Sequence, residues 1–374
     1  MRLVIAGGGT GGHLFPGIAV AEALLDADPT SQVLFVGTER GIEARAVPKA
    51  GFEVRFIDVG GLKGLGLKKR LTTVAQLPGS LVQARRILRE FQADAVLGVG
   101  GYSSGPVLVA ARTLGLPTAI CEQNSVPGLT NRLLARLVGR IFVTFDASRA
   151  RFPASKTELV GNPVRRSFRD AAARPAPPIE RGLVFTFGGS QGARPLNESA
   201  PAALALLRRR GRAVSALHQA GKSDVATVEQ AYRQAEVSAE VTPFIDDMVT
   251  AYRRAHVVIC RAGATSCAEL TALGVAAILV PFPQAADDHQ TLNARDLEQV
   301  GACVLLPQSE LTPERLADEL ERLLGDDDRL DQLRASARQA GRLEAADTVA
   351  RAALAGFPGR AAARALLSTS GVGA

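Results

Sequence analysis

The sequence predicts an α/β protein of two Rossmann-like, doubly wound domains in tandem, on three observations. Short apolar runs alternate with amphipathic helical stretches along the chain. Several of those runs end in glycine-rich loops. The order strand, glycine loop, helix opens twice, at residue 2 and again at residue 182. Alternation of this kind implies parallel strands whose crossover helices cover both faces of a sheet. A chain of 374 residues is long enough for two cores, and 47% apolar with 22% charged residues is ordinary globular composition.

In the first half, strands are expected at 2–6, 32–37, 53–57, 94–99, 117–121 and 140–144. The first runs into "GGGTGGHLFPG", 7–17, and a helix over Gly17–Leu25. Gly7, Gly9 and Gly12 fit G-x-G-x-x-G, so a dinucleotide loop is a legitimate reading. Against it, the second strand ends in Gly37-Thr38-Glu39 rather than directly in a ribose-binding acid, and His13 stands where close helix packing is wanted. Pro16 is placed in the first helical turn, which tolerates proline. The physics holds without a dinucleotide: small residues let backbone approach a ligand, and a helix N-terminus offers N–H groups to an anion. "GVGGYSSGP", 98–106, repeats the arrangement. Leu81–Phe91 reads as an amphipathic helix.

The proline-rich, weakly periodic stretch "GNPVRRSFRDAAARPAPPIERG", 161–182, marks the boundary. The expected domains are 1–161 and 162–342, with a helix over 343–367 crossing back to the first and 368–374 frayed. Strands of the second half are expected at 182–187, 213–218, 238–242, 256–260, 276–281 and 302–305. "FGGSQGARPLN", 187–197, places Ser190 to cap a helix or to donate to a phosphate. In "CRAGATSCAEL", 260–270, the strand ends at Cys260, Ala264-Thr265-Ser266 opens a helix, and Glu269 lies in its first turns. A carboxylate there either favours the helix dipole or accepts two bonds from a ribose diol. Four such loops at the carboxyl ends of strands point to ligand binding where open α/β sheets bind ligands.

Several classes drop out. No apolar run reaches the ~18–20 residues of a membrane span. The chain enters a strand after one arginine, so no signal peptide is expected. Cys121, Cys260, Cys267 and Cys303 are dispersed, which argues against zinc and disulfides. The net charge of +7 favours acidic partners, but no tryptophan, three tyrosines and no recognisable motif count against nucleic acid. Asp26-Ala27-Asp28 and Asp326-Asp327-Asp328 are the D-x-D runs; neither follows a strand, so both read as surface charge, one ending a helix and one in a solvated turn, and no metal is expected.

"GGTGGHLFPG", "GGYSSGP", "EQNSVPGLTN", "GNPVR", "GGSQGARPLN" and "AGATSCAEL", in this order, resemble the MurG family, bacterial transferases that add N-acetylglucosamine to lipid I in peptidoglycan synthesis. The resemblance runs from the first strand to about Ala294, and order and spacing together make it specific. It implies a glycosyltransferase fold of the B type, two domains facing across a cleft. The donor UDP-N-acetylglucosamine would lie mostly on the C-terminal domain and the acceptor on the N-terminal one. Thr10, Gly11, Gly12, Asn124, Arg165, Ser190, Ile245, Ala264, Thr265, Ser266, Cys267, Ala268, Glu269 and Gln290 would contact the donor. Among these, the Ile245 backbone would meet uracil, Glu269 the ribose hydroxyls, Ser190 and helix amides the diphosphate, and Asn124 and Gln290 the sugar. Gly101, Tyr102 and Ser103 would lie on the acceptor side. "PFPQAADDHQTLNA", 281–294, departs from some members in length and in its Asp287-Asp288-His289 run, which leaves the role of His289 open.

The implied chemistry is one in-line displacement with inversion at the anomeric carbon by the 4-hydroxyl of N-acetylmuramic acid. It needs a single base. His13 is the first candidate, against donation of a hydrogen bond to phosphate or loop; Glu122 is the second, against orienting the 121–131 loop. In 62–91, leucines and valines are mixed with basic residues including Lys68, Lys69 and Arg70. Such a stretch suits either an anionic membrane surface or a solvated basic helix face. The implied location is peripheral, on the cytoplasmic face of the inner membrane, with lipid I and other cell-wall synthesis proteins as partners in cell shape and division. Rival readings are another B-type nucleotide-sugar enzyme, such as an epimerase or a diacylglycerol glycosyltransferase, and an NAD-dependent oxidoreductase, which leaves three of the four loops unexplained.

Overall fold

The computed structural model describes residues 1–59, 67–189 and 192–357, with the side chains of 67–76 outside the description. The chain divides into two compact units, Met1–Arg166 with the chain from Leu343 onward, and Ser167–Arg342. The first holds strands β1 Arg2–Gly7, β2 Gln32–Gly37, β3 Glu53–Phe56, β4 Ala95–Gly100, β5 Thr118–Glu122, β6 Arg140–Val143 and β7 Thr157–Leu159. They form one parallel sheet in the order β3-β2-β1-β4-β5-β6-β7. Strand alternation divides its side chains between two cores. Leu3 and Ile5 pack with Leu14, Ile18 and Val20 on one face; Val4 and Ala6 pack with Leu88, Val107 and Leu108 on the other. The helix Ala345–Leu354 adds Ala346, Val349 and Ala350 to the first of these cores.

The second unit holds β8 Leu183–Phe187, β9 Ser215–Gln219, β10 Ser238–Thr242, β11 Val257–Cys260, β12 Ala277–Leu279 and β13 Val304–Leu305. They too are parallel, in the order β10-β9-β8-β11-β12-β13. Val184, Val257 and Ile259 face a core with Leu204 and Leu320. On the other side Tyr252 lies 5.8 Å from both Phe185 and Phe187 and 6.1 Å from Phe168.

Each strand order reverses once, between β1 and β4 in the first sheet and between β8 and β11 in the second. The four glycine loops follow these four strands. They therefore sit at the carboxyl ends flanking the two topological switch points, where a crevice opens because successive crossovers leave in opposite directions.

Three expectations need correction. β7 was not anticipated: its three residues follow the turn 153–156 too closely to show a period. The first helix is Gly11–Ala27, not Gly17–Leu25, so His13 lies in its first turn while Pro16 lies past it and removes the N–H that would reach back to Gly12. The Asp326-Asp327-Asp328 run is not a solvated turn. Asp326 caps the helix Asp327–Ala340, its carboxylate accepting the Arg329 N–H at 2.9 Å, and Asp327 pairs with Arg181 at 2.9 Å.

Candidate active site

In the first unit the β1 and β4 loops interlock. The Gly8 N–H donates to the Gly100 carbonyl at 3.3 Å. Ser104, the first residue of the helix Ser104–Thr113, donates its hydroxyl to the carbonyls of Ala6 at 2.7 Å and Gly100 at 2.9 Å, tying the two strand ends together. Gly100 has φ +93°, and a Cβ there would lie 2.7 Å from Cδ2 of His13. Only glycine permits this loop to lie against the imidazole. His13 Nδ1 is 3.3 Å from Thr10 Oγ1, and Thr10 precedes the helix, its carbonyl accepting the N–H of His13 and of Leu14. His13 is thus a half-exposed ring at the positive end of a helix dipole, beside exposed Thr10 and Gly12 and half-exposed Gly11. Among the acceptor-side candidates, Tyr102 is exposed, Gly101 half-exposed, and Ser103 buried where its helix begins.

Glu122, at the end of β5, is buried. Its Oε1 accepts from the Asn124 N–H at 3.0 Å; its Oε2 accepts from the Gly128 N–H at 3.0 Å and from Asn131 Nδ2 at 2.9 Å. Burial pushes its carboxyl above the ordinary value, while these bonds pull the other way. The arrangement organises the loop that carries half-exposed Asn124. Arg165 stacks over Phe15 of the first helix, 4.6 Å from the ring centroid. Its neighbour Arg166 is held on the same helix: its N–H donates to Glu22 at 2.6 Å and its guanidinium pairs with Asp26.

In the second unit, Gln219 ends β9 and bridges two loops. Its Oε1 accepts the Ile245 N–H at 3.1 Å and its Nε2 donates to the Gly189 carbonyl at 2.8 Å. The preceding His218 is fixed between Tyr232 Oη at 2.9 Å and Asn197 Oδ1 at 3.1 Å, and burial pulls it down to about 4, so it is neutral at pH 7. The helix Ala264–Leu273 follows β11 directly, with Gly263 at its cap. Thr265, Ser266 and Ala268 are half-exposed on it, whereas Ala264, Cys267 and Glu269 are buried. Tyr252 donates to Glu269 Oε2 at 3.3 Å. Arg261, three residues before this helix, is a buried cation. It donates to the carbonyls of Val280 at 3.2 Å and Pro281 at 3.1 Å and to Gln308 Oε1 at 2.6 Å, and burial draws its pKa below the usual range. Gln290 Oε1 accepts the Phe282 N–H at 3.0 Å. Just before it, Asp287 and Asp288 both adopt left-handed backbone, φ +54° and +51°, and His289 Nδ1 lies 2.7 Å from the Ala286 carbonyl. Strained non-glycine backbone of this kind clusters at functional sites.

Ser190 and the side chains of Lys68, Lys69 and Arg70 lie outside the described residues. Glu43, whose carboxylate accepts the Gly9 N–H at 2.7 Å, and Ser104, Gln219 and Arg261 carry these loops and were not singled out from the sequence. For Ser104 the signal was present, a second serine inside "GGYSSGP"; for Gln219 it was a buried-strand pattern ending in His-Gln.

The family model for the Glycosyltransferase family 28 N-terminal domain matches residues 3–143, and that for the C-terminal domain matches 183–350. A protein of Myxococcus xanthus named UDP-N-acetylglucosamine–N-acetylmuramyl-(pentapeptide) pyrophosphoryl-undecaprenol N-acetylglucosamine transferase is 47% identical over 94% of this chain and 91% of its own length. One of Pelobacter propionicus with the same name is 50% identical over 87% of this chain and 92% of its own. Among solved structures, Acinetobacter baumannii MurG matches with a TM-score of 0.74 at 34% identity, over 94% of this chain and 98% of that one. A UDP-GlcNAc 2-epimerase from Neisseria meningitidis, bound to UDP-GlcNAc, matches with a TM-score of 0.68 at 12% identity over 95% and 100%, a likeness of fold alone.

Proposed function

The chain belongs to glycosyltransferase family 28, and on that premise we infer that it transfers N-acetylglucosamine from UDP-N-acetylglucosamine to lipid I, giving lipid II for peptidoglycan. The acceptor atom is the 4-hydroxyl of N-acetylmuramic acid, and the configuration at the anomeric carbon inverts in one displacement. The observation that carries this reading is the identity of 47–50% over nearly the whole chain to transferases named for that reaction.

The nucleotide binds the second unit. Uracil meets the backbone of Ile245, Glu269 accepts the ribose hydroxyls, and the diphosphate lies against Ser190 and the N-terminal turn Ala264–Cys267. Gln290 holds the sugar. Thr10, Gly11, Gly12, Asn124 and Arg165 complete the donor contacts. Gly101, Tyr102 and Ser103 take the acceptor side. His13 removes the proton of the acceptor hydroxyl as the anomeric carbon–oxygen bond to UDP breaks, and helix amides and hydroxyls receive the charge that develops on the departing diphosphate. Such preorganised donors supply roughly 3–4 kcal/mol each. Glu122 orders the 121–131 loop, a role supported by the three donors on its two oxygens. The test is turnover with UDP-N-acetylglucosamine and a short-chain lipid I analogue, with and without chelator. Disaccharide formation at equal rates is expected in both; strong NADH binding with no turnover refutes the assignment.

A lipid-linked acceptor requires a membrane surface, and we place the enzyme peripherally on the cytoplasmic leaflet. No helix among the described residues is long and apolar enough to cross a membrane. In the first unit Leu129, Leu133 and Leu137 recur every fourth residue and are exposed, with exposed Arg132 and Arg136 between them. Basic residues near anionic headgroups contribute about 1 kcal/mol each. Replacing Lys68, Lys69 and Arg70 by alanine is expected to weaken binding to anionic vesicles at least tenfold and to leave turnover of the soluble analogue unchanged. Undiminished vesicle binding in a sedimentation assay removes this patch.

A further inference from the structure

We propose that Glu43 is a positioning residue for the transfer: its carboxylate fills the anion position of the first glycine-rich loop and thereby sets His13. The inference rests on His13 being the base.

Glu43 is the first residue of the helix Glu43–Lys49 and is 1% exposed. Its Oε2 accepts the Gly9 N–H at 2.7 Å; its Oε1 accepts the Thr38 N–H at 2.8 Å and the Thr38 hydroxyl at 3.0 Å. Three glycines make room for it. A Cβ on Gly8 or Gly37 would come within 2.4 Å of Glu43 side-chain atoms, and one on Gly41 within 2.0 Å. Gly9 is the middle glycine of the G-x-G-x-x-G pattern, the position whose backbone approaches a pyrophosphate in dinucleotide-binding folds. Here that N–H is already bound by a carboxylate 34 residues away. The loop has the shape of an anion site because it holds an anion, and the anion belongs to the chain.

The link to His13 is short. Thr10 follows Gly9, and its Oγ1 lies 3.3 Å from His13 Nδ1. Gly8 precedes Gly9, donates to the Gly100 carbonyl, and sits so close to Gly101 that a Cβ there would lie 2.5 Å from the Gly8 carbonyl oxygen. Gly100 in turn lies against the imidazole. Releasing Gly9 frees both walls of the ring. Displacement of a reacting group by about 1 Å costs on the order of 10²-fold in rate.

The test is a double-mutant cycle of Glu43→Gln and His13→Ala, read as kcat and donor KM with the short-chain lipid I analogue. Glutamine has one acceptor oxygen for two separate N–H groups, so one bond is lost with little change of volume. Glu43→Gln is expected to lower kcat about 10–100-fold with donor KM within about twofold, and to change nothing further when His13 is already alanine. Amide exchange at Gly9 and Thr38 is expected to quicken while β1 and β2 keep their rates. Near-normal kcat for Glu43→Gln, or equal losses in both backgrounds, overturns the proposal. Near-normal kcat for His13→Ala alone overturns the base assignment instead, and Glu43 acting through it falls with that assignment. Gly41→Ala, which presses a methyl group into the carboxylate without altering its charge, is expected to give the same loss in kcat and the same dependence on His13; its absence overturns the proposal even if Glu43→Gln does not fold.

Discussion

His13→Ala is expected to lower kcat by about 10²–10⁴-fold while the donor KM changes less than about threefold, measured as UDP release at saturating short-chain acceptor. Loss of a positioned general base removes an interaction made in the transition state, so it appears in kcat. Four features hold the ring: the first-turn position on the helix Gly11–Ala27, the Thr10 hydroxyl on Nδ1, the bare backbone of Gly100 along one edge, and the Gly9 anchor behind the loop. The rival role, donation of a hydrogen bond to phosphate, predicts a different series. His13→Asn retains a donor but has no basic nitrogen. A base predicts that His13→Asn is as slow as His13→Ala; a donor predicts that asparagine restores much of the rate and that alanine raises donor KM. Restoration by asparagine removes His13 as the base.

The same helix shows where reading a sequence reaches its end. Its strand, its glycines and its histidine were legible because each is a local signal: an apolar run, residues that permit close approach, a titratable ring out of place. The strands of both sheets except the three-residue β7 were legible for the same reason. The helix start was not, because Pro16 argues for a beginning near itself and the tertiary packing of Leu14 on Leu3 and Ile5 overrides it. The residues that hold the site were least legible of all. Glu43 meets Gly9 across 34 residues, Ser104 meets Ala6 across 98, and Gln219 meets Ile245 across 26. In sequence each is an ordinary helix-start acid, serine or strand-end amide. Their function comes from the sheet order, which sets β1 between β2 and β4 and β9 between β10 and β8. Family resemblance marks the contacts a ligand makes and says little about what holds those contacts in place.

Glu269→Ala is expected to raise the donor KM by about 10²–10⁴-fold with kcat reduced far less. Two charge-assisted hydrogen bonds to a ribose diol contribute about 1.5–3 kcal/mol each, and 1.4 kcal/mol is a tenfold change. The ribose is remote from the breaking bond, so its binding is uniform between ground and transition states and its loss falls on KM. The carboxylate is prepared for this. It is buried on the helix that follows β11, and its Oε2 is held by Tyr252, itself fixed among Phe168, Phe185 and Phe187. A carboxylate oxygen accepts more than one bond, so the tyrosine orients Glu269 without consuming it. The decisive comparison changes the donor as well as the protein. With the uridine 2′-deoxy analogue of the donor, the wild-type enzyme is expected to lose about 10–100-fold in kcat/KM, and Glu269→Ala to lose nothing further. Equal losses in both proteins would mean that the 2′-hydroxyl is read elsewhere and that Glu269 acts only on the helix and Tyr252. Truncation also leaves the Tyr252 hydroxyl without this partner, at a cost of about 1 kcal/mol in stability. That loss lowers the denaturation midpoint for either donor alike and so cannot imitate the ribose effect.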